Sequence, residues 1–129
     1  MGLLEQLFGR DYLAYQRASR MTGPRSLARS TAKAPTSPGV YLLSRDREHV
    51  QYVGRAGNLR ARLRRHEDNG DYAFFRYCTT HTENGAFFKE CREYHRYGKR
   101  NHLDNEIHPA RPAGSRLPAC GQNGCRGEP

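Results

Sequence analysis

The chain has 129 residues, and its 22 lysines and arginines outnumber 13 acidic residues to leave a formal net charge of +9. This length is sufficient for one domain with its own core, and the lack of any apolar run long enough to span a bilayer argues against a membrane protein. A strongly positive surface attracts polyanions, so nucleic acid is the first class of partner to consider.

Residues 1–37 are predicted to form an N-terminal helical extension followed by a basic linker. Leucine and aromatic residues recur at about helical spacing in residues 2–19, whereas residues 20–38 are rich in Ser, Thr, Pro, Gly and basic side chains. The start MGLLEQLF has no basic region before its apolar residues and so does not resemble a secretory signal. We therefore expect an intracellular, cytoplasmic protein.

The next segment, residues 38–110, is predicted to be the main domain, and it begins with a β-hairpin. The runs GVYLLS and HVQYVG are rich in β-branched and aromatic residues and are separated by the polar RDRE. A third strand is expected in YAFFRYCTT, residues 72–80. Two helices are expected, one following the N-cap residue Asn58 and one over residues 84–97. Residues 111–129 are rich in Pro, Gly and Arg and are expected to form an irregular tail.

The first predicted helix carries four arginines that are not equivalent. Leu59 and Leu63 lie four residues apart on one stripe, and Arg62 and His66 lie on the flank of that stripe. Arg62 and His66 are therefore expected where the helix meets the sheet. The remaining arginines point toward solvent and form a basic face suited to the phosphates of a nucleic-acid backbone: Arg60, Arg64 and Arg65.

The second predicted helix carries two glutamates with different expected positions. Glu90 lies at the edge of an apolar stripe formed by Phe87, Cys91 and Tyr94. Glu93 is predicted on the polar side, beside Lys89 and Arg96, in a surface ion pair. The spacing therefore predicts Glu90 as the acid held at the rim of the core.

Tyrosine occurs in both strands of the predicted hairpin, at Tyr41 and Tyr52. A single strand tyrosine is most often a packing residue. Two hydroxyl groups, a guanidinium, an imidazole and a carboxylate on the few elements of one small sheet are a more specific combination. Such a set suits phosphodiester cleavage, because a carboxylate can hold a metal, an arginine can stabilise charged phosphate, and Tyr or His can move a proton.

The same residues resemble the GIY-YIG nuclease superfamily, which includes the nuclease part of UvrC and several homing and restriction endonucleases. The two half-motifs stand as Gly39-Val40-Tyr41 and Tyr52-Val53-Gly54, and Ala86-Phe87-Phe88-Lys89-Glu90 resembles the segment around the family's metal ligand. The resemblance covers residues 36–110. It implies an α+β fold with a small three-stranded antiparallel sheet flanked by helices, and a DNA endonuclease that depends on Mg²⁺ or Mn²⁺.

The resemblance also implies roles for individual residues. Tyr41 and Tyr52 match the motif tyrosines, Arg62 matches the family's arginine, Glu90 matches its metal ligand, and His66 falls where relatives carry Tyr or His. The family's late asparagine corresponds to Asn105, with Asn101 as the alternative. Arg55 stands where lysine is common, and it is expected to keep the cationic contact to phosphate.

Two other functions remain open from the sequence. The chain could be a non-catalytic nucleic-acid-binding module that retains the fold, or a small basic protein associated with RNA. The sequence indicates neither a preferred DNA target nor an oligomeric state.

The cysteines suggest no clear metal site. Cys120 and Cys125 could form half of a zinc site, but their spacing is longer than C-x-x-C and a structural zinc needs four ligands. Thiols in an irregular tail are the favoured interpretation. The histidines outside the first helix show no convincing ligand spacing: His49, His81, His95, His102 and His108.

Overall fold

The computed structural model describes residues 17–120 and 125–127 of the chain. Its regular elements are β1 (Arg25–Ser26), α1 (Leu27–Ser30), a 3₁₀ turn (Thr31–Lys33), β2 (Gly39–Ser44), β3 (Tyr52–Ala56), α2 (Leu59–Asn69), β4 (Phe74–Thr79), α3 (Glu83–Arg96) and a second 3₁₀ turn (Lys99–Asn101). The predicted N-terminal helix falls almost entirely outside the described residues. No helix within the described ranges is long and apolar enough to cross a membrane.

The strands form one antiparallel sheet in the order β1-β4-β2-β3. The α+β class with flanking helices is therefore confirmed, but the sheet has four strands rather than the predicted three. The additional strand, β1, consists of two residues that pair with Phe74 and Phe75 at the edge of β4. A strand this short leaves almost no alternating pattern for sequence analysis to detect.

The segment expected to be a linker contributes to the core. Leu27 is buried, and its backbone N–H donates to the carbonyl of Ala73 at 2.9 Å. Ala34 is also buried, in the same apolar cluster as Leu27, Leu59 and Leu63. A segment rich in Ser, Thr and Pro can therefore be ordered when a few apolar residues anchor it.

Both faces of the sheet are covered. Tyr41 and Leu43 belong to the cluster that includes the α2 leucines, whereas Val40 and Leu42 belong to a second cluster with residues of α3. Successive residues of a strand point to opposite faces, so α2 and α3 lie on opposite sides of β2. This arrangement explains why all six residues of β2 are buried.

The predicted N-cap of α2 is present. The Asn58 side chain accepts a hydrogen bond from the backbone N–H of Ala61 at 3.0 Å, which satisfies a donor in the first helical turn. The helix ends at Gly70, whose φ of 74° lies in the left-handed region that favours glycine. These two ends place Arg62 and His66 in the middle of the helix, above the sheet.

Helix α3 is covered on two sides. Ala86 and Tyr94 contact the sheet cluster, while Phe87 and Cys91 pack with Leu117 of the C-terminal segment in a separate apolar cluster. Residues 111–120 have no regular secondary structure, as predicted, but they form a packed cover over α3.

Candidate active site

A polar pocket with a volume of about 410 Å³ lies where β2, β3, α2 and α3 meet. Five of the residues singled out from the sequence line it: Tyr41, Tyr52, Arg55, Arg62 and Glu90. They come from four different elements, so the fold brings together groups that are as many as 49 positions apart.

The two tyrosines and His66 form a compact cluster at one side of this pocket. The Tyr41 hydroxyl and His66 Nε2 are hydrogen-bonded at 3.0 Å. The Tyr41 and Tyr52 rings stack with their centroids 6.3 Å apart, and the Tyr52 and His66 ring centroids are 5.8 Å apart. The predicted position of His66 on the flank of the leucine stripe therefore brings it to the motif tyrosines.

Burial shifts the pKa values of all three groups in the direction that favours their neutral forms. It raises the pKa of Tyr41 far above the ordinary value, although the nearby Arg62 guanidinium acts in the opposite direction. Burial also raises the pKa of Tyr52. The pKa of His66 is lowered, first by burial and then by the positive charges of Arg62 and Arg65. At neutral pH both phenols are therefore protonated and the imidazole is neutral, so Tyr41 does not act as a preformed base.

Glu90 is the buried acid of the site, with 7% of its surface exposed. Its Oε1 accepts a hydrogen bond from Arg55 Nη1 at 2.7 Å, and the Arg55 guanidinium also lies over the Phe87 ring. Burial raises the pKa of Glu90 to about 7 despite the neighbouring positive charge of Arg55. A buried carboxylate whose charge is incompletely compensated would gain from a bound cation.

Arg55 and Arg60, both predicted to bind phosphate, each have a partner within the protein. The Arg55 guanidinium is engaged with Glu90, so it is part of the acid's environment. Arg60 is half-buried, and its Nε donates to the carbonyl of Ala34 at 2.7 Å. Arg60 was expected to point to solvent, but the ordered 31–34 segment lies against its face of α2. Arg64 and Arg65 are exposed, as predicted.

Asn105 is not among the described residues that line the pocket. Its Oδ1 accepts from the Val53 N–H at 3.0 Å, and its Nδ2 donates to the Val53 carbonyl at 2.8 Å. Because β3 is an edge strand, this side chain takes the place of a neighbouring strand and fixes the backbone just before Gly54. Asn105 therefore contacts the backbone of β3 rather than the pocket, and the alternative, Asn101, is exposed in the second 3₁₀ turn.

Glu93 was predicted to lie on the surface, but it is buried, with 1% of its surface exposed. Lys89 Nζ lies 3.0 Å from its Oε1, whereas Oε2 has no hydrogen-bond partner among the described residues and is 3.9 Å from Arg96 Nη1. The prediction assumed one buried stripe through Phe87 and Cys91. That stripe packs against the C-terminal segment. A second side of α3 is also buried, and Glu93 lies on that side, where it is shielded from solvent.

Sequence analysis missed several residues that line the pocket. Glu83 begins α3 and lies seven positions before Glu90, a spacing of two helical turns that could have indicated a shared face. Ala110, Pro112 and Ala113 contribute a wall from the C-terminal segment, and no local pattern announces such a contact.

The chain was compared with known proteins, and no protein-family model matches it. In an alignment of 77 residues that covers 51% of this chain, it is 36% identical to the UvrABC system protein C of Caldicellulosiruptor saccharolyticus. The chain spans 13% of the length of that curated relative. Among solved structures it is similar to the GIY-YIG N-terminal endonuclease domain of UvrC from Thermotoga maritima, bound to magnesium as its catalytic divalent cation. The two share 23% sequence identity at a TM-score of 0.49, over 60% of this chain and 96% of that one.

The chain is related in sequence to UvrC, the protein whose N-terminal endonuclease domain in Thermotoga maritima is a GIY-YIG domain. The relationship suggested by the motifs is thus confirmed, and the structure explains the motif glycines. Tyr41 lies directly opposite Gly54 in the β2–β3 ladder, and a Cβ atom added to Gly54 would lie 2.4 Å from the Tyr41 ring and hydroxyl. A Cβ atom on Gly39 would lie 2.1 Å from the Cys78 carbonyl oxygen. In this protein the two glycines therefore make room for a motif tyrosine and for the neighbouring strand.

Proposed function

We propose that this protein is a divalent-metal-dependent endonuclease that hydrolyses DNA phosphodiester bonds. The observation that carries the proposal is one polar pocket lined by a buried carboxylate, a guanidinium and a tyrosine whose hydroxyl is hydrogen-bonded to His66. The sequence relationship to UvrC and the net charge of +9 support DNA as the substrate. Each member of the pocket can then be given a chemical role.

Glu90 would hold the metal ion, and its buried position at the pocket fits that role. Mg²⁺ is commonly held by one or two carboxylates while retaining water ligands and contacting substrate phosphate. Glu83 provides a second carboxylate on the pocket wall. A bound Mg²⁺ or Mn²⁺ would supply Lewis-acid stabilisation of the negative charge on the phosphate.

The Tyr41–His66 pair would accept the proton of the attacking water. The neutral His66 Nε2 can accept the Tyr41 hydroxyl proton when the imidazole proton is on Nδ1, while the Tyr41 oxygen takes a proton from water. The water oxygen then forms the new bond to phosphorus as the bond to the leaving oxygen breaks. The leaving oxygen takes a proton from solvent, and half-buried His66 returns its proton to solvent. Tyr52 stacks on Tyr41 and restricts the orientation of its ring.

Arg62 would stabilise the charge that develops on the phosphate. It is exposed at the pocket, in contrast to Arg55, which is paired with Glu90. The exposed Arg64 and Arg65 continue along α2 and would contact backbone phosphates outside the cleavage site.

The domain division is also a proposal. We assign the nuclease domain to residues 38–110, the basic N-terminal extension to residues 1–37, and the C-terminal tail to residues 111–129. Parts of both flanking segments pack against the domain, through Leu27 and Leu117.

The test is a cleavage assay of the purified chain on duplex, nicked, branched and single-stranded DNA, with matched RNA substrates. Each substrate is incubated with Mg²⁺, with Mn²⁺ or with EDTA. We expect cleavage of at least one DNA substrate with either metal ion and none with EDTA. Tight DNA binding without cleavage under every metal condition would contradict the proposal and favour a non-catalytic binding module.

A further inference from the structure

We propose that this protein contains a structural zinc site formed by His95, His108, Cys120 and Cys125. The potential ligand atoms of these four residues all lie within 4.8 Å of one another. His95 Nε2 is 3.2 Å from Cys120 Sγ, and His108 Nε2 is 3.8 Å from Cys125 Sγ. A tetrahedral zinc with nitrogen ligands at 2.0–2.1 Å and sulfur ligands at 2.3 Å would place its ligand atoms about 3.3–3.8 Å apart.

The surroundings of the cluster favour metal binding. His108 Nδ1 lies 2.8 Å from the carbonyl of Pro109, which can only accept, so the imidazole proton is on Nδ1 and Nε2 presents its lone pair to the cluster. The backbone N–H of Gly127 donates to Cys125 Sγ at 3.4 Å, a contact that suits a negatively charged sulfur. His108 and Cys120 are buried, so a metal there would be shielded from solvent.

The ligand set favours zinc and a structural role. Two thiolates and two imidazoles in a tetrahedral arrangement are a combination typical of zinc. All four positions are supplied by protein, which leaves no open position for water or substrate. None of the four residues lines the pocket of Glu90, whose carboxylate oxygens suit a hard cation such as Mg²⁺.

The sequence analysis predicted that these cysteines are thiols in an irregular tail, and it did not predict that two histidines lie beside them. Cys120 and Cys125 have a C-x₄-C spacing, which is within the range found in zinc sites. The two histidines are 13 residues apart, one in the last turn of α3 and one before Pro109. Only the packing of the C-terminal segment on α3 brings the two pairs together.

A zinc ion here would fix one wall of the pocket. His108 and Cys120 stand at the two ends of the segment that carries Ala110, Pro112 and Ala113, the three residues that line the pocket from this side. His95 belongs to α3, so a metal ion bound by all four residues would connect this segment to that helix. In the absence of metal, the small apolar contact of Leu117 and Cys120 with α3 would still hold this segment, but less firmly.

The experiment uses the full chain without a histidine tag, produced in zinc-supplemented medium and purified under reducing conditions. Zinc is measured by elemental mass spectrometry, and we expect about one zinc per chain. Cys125→Ser should lose nearly all of the zinc. Cys78→Ala is the matched control, because Cys78 is buried in β4 and belongs to a different apolar cluster, and it should retain the metal.

Two further measurements keep the test decisive if Cys125→Ser does not fold. Cobalt(II) added to the demetallated wild-type chain should give the strong visible bands of a tetrahedral thiolate site, saturate at about one equivalent and be displaced by zinc. Removal of zinc should also speed tryptic cleavage after Arg116, which is exposed in the wall segment. Zinc-deficient wild-type protein with no cobalt spectrum, or a Cys120–Cys125 disulfide in the purified chain, would overturn the proposal.

Discussion

Arg62 and Arg64 lie two positions apart in α2 and differ in their surroundings. Arg62 lines the pocket and is close enough to the Tyr41 hydroxyl to influence its pKa, whereas Arg64 is exposed on the basic face. We expect Arg62→Ala to lose about 10²–10³ in cleavage rate, as typically follows loss of a transition-state charge donor. Arg64→Ala should cut at nearly the wild-type rate. Single-turnover rates at saturating enzyme test this, and equal losses would contradict the assignment of Arg62.

The protonation of His66 should make the free energy of unfolding depend on pH. The pKa of His66 in the folded protein is lowered mainly by burial and then by the positive charges of Arg62 and Arg65, while Asp71 acts in the opposite direction. The His66 ring is also hydrogen-bonded to the Tyr41 hydroxyl. The unfolded chain therefore binds a proton more readily than the folded chain. The contribution of His66 to stability is fully present above its ordinary pKa of about 6.5 and is lost as the pH falls below it.

The free energy of unfolding should accordingly decrease more between pH 7.5 and 5.5 for the wild type than for His66→Gln. Glutamine can still accept a hydrogen bond from Tyr41 but does not titrate in this range. Urea denaturation at both pH values measures the difference. The same decrease in both proteins would show that His66 is not the titrating group.

The pairing of β2 and β3 requires glycine at position 54. A methyl group on Gly54 would overlap the Tyr41 ring, and overpacking of this kind costs about 1–3 kcal/mol. We therefore expect Gly54→Ala to lower the free energy of unfolding by about that amount. Gly23→Ala is the control, because its added Cβ atom would meet no atom within 4 Å. Urea denaturation compares the two variants, and equal stabilities would contradict the close contact between the strands.

The two helices α2 and α3 differ in how completely their boundaries and buried sides were predicted from the sequence. The start of α2 followed from local chemistry, since Asn58 caps the helix, and the sequence analysis made no prediction of its end at Gly70. Helix α3 and its buried stripe of Phe87, Cys91 and Tyr94 were located correctly, but the burial of Glu93 on a second side was not predicted. The amphipathic pattern of α3 was interpreted as one buried stripe, while the helix is covered both by the sheet and by the C-terminal segment.

In the candidate active site, too, positions set by nearby sequence were predicted, whereas positions set by contacts with distant segments were not. The motif residues of β2 and β3 and the phase of α2 correctly predicted that Tyr41, Tyr52, Arg62 and His66 would meet. The positions of Arg60 and Glu93 depend on contacts with segments far away in sequence, which a helical pattern does not contain. The same is true of the pocket wall at residues 110–113.

The charge of the whole molecule predicts strong dependence of DNA binding on salt. If about four phosphates are contacted, the logarithm of the binding constant should fall with the logarithm of salt concentration at a slope near −3.6. The exposed Arg64 and Arg65 should each account for about 0.9 of this slope, so replacing both by alanine should bring it near −1.8. Fluorescence-anisotropy titrations at several salt concentrations provide the measurement. A slope near zero would contradict binding through the basic face.

The central claim is that Glu90 holds the metal ion required for cleavage. Glu90→Gln keeps the shape of the side chain and an oxygen that can accept the hydrogen bond from Arg55, but it removes the charge that a hard cation requires. The variant should fold and bind DNA at least as tightly as the wild type, because a negative charge beside the phosphate is gone. Glu106→Gln is the matched control, since Glu106 is exposed and does not line the active-site pocket.

The decisive measurement is single-turnover DNA cleavage by both variants across a Mg²⁺ titration, with folding checked by circular dichroism. We expect Glu90→Gln to lose at least about 100-fold in rate at every Mg²⁺ concentration, and Glu106→Gln to cut at nearly the wild-type rate. Near-normal cutting by a folded Glu90→Gln at saturating Mg²⁺ would contradict the account.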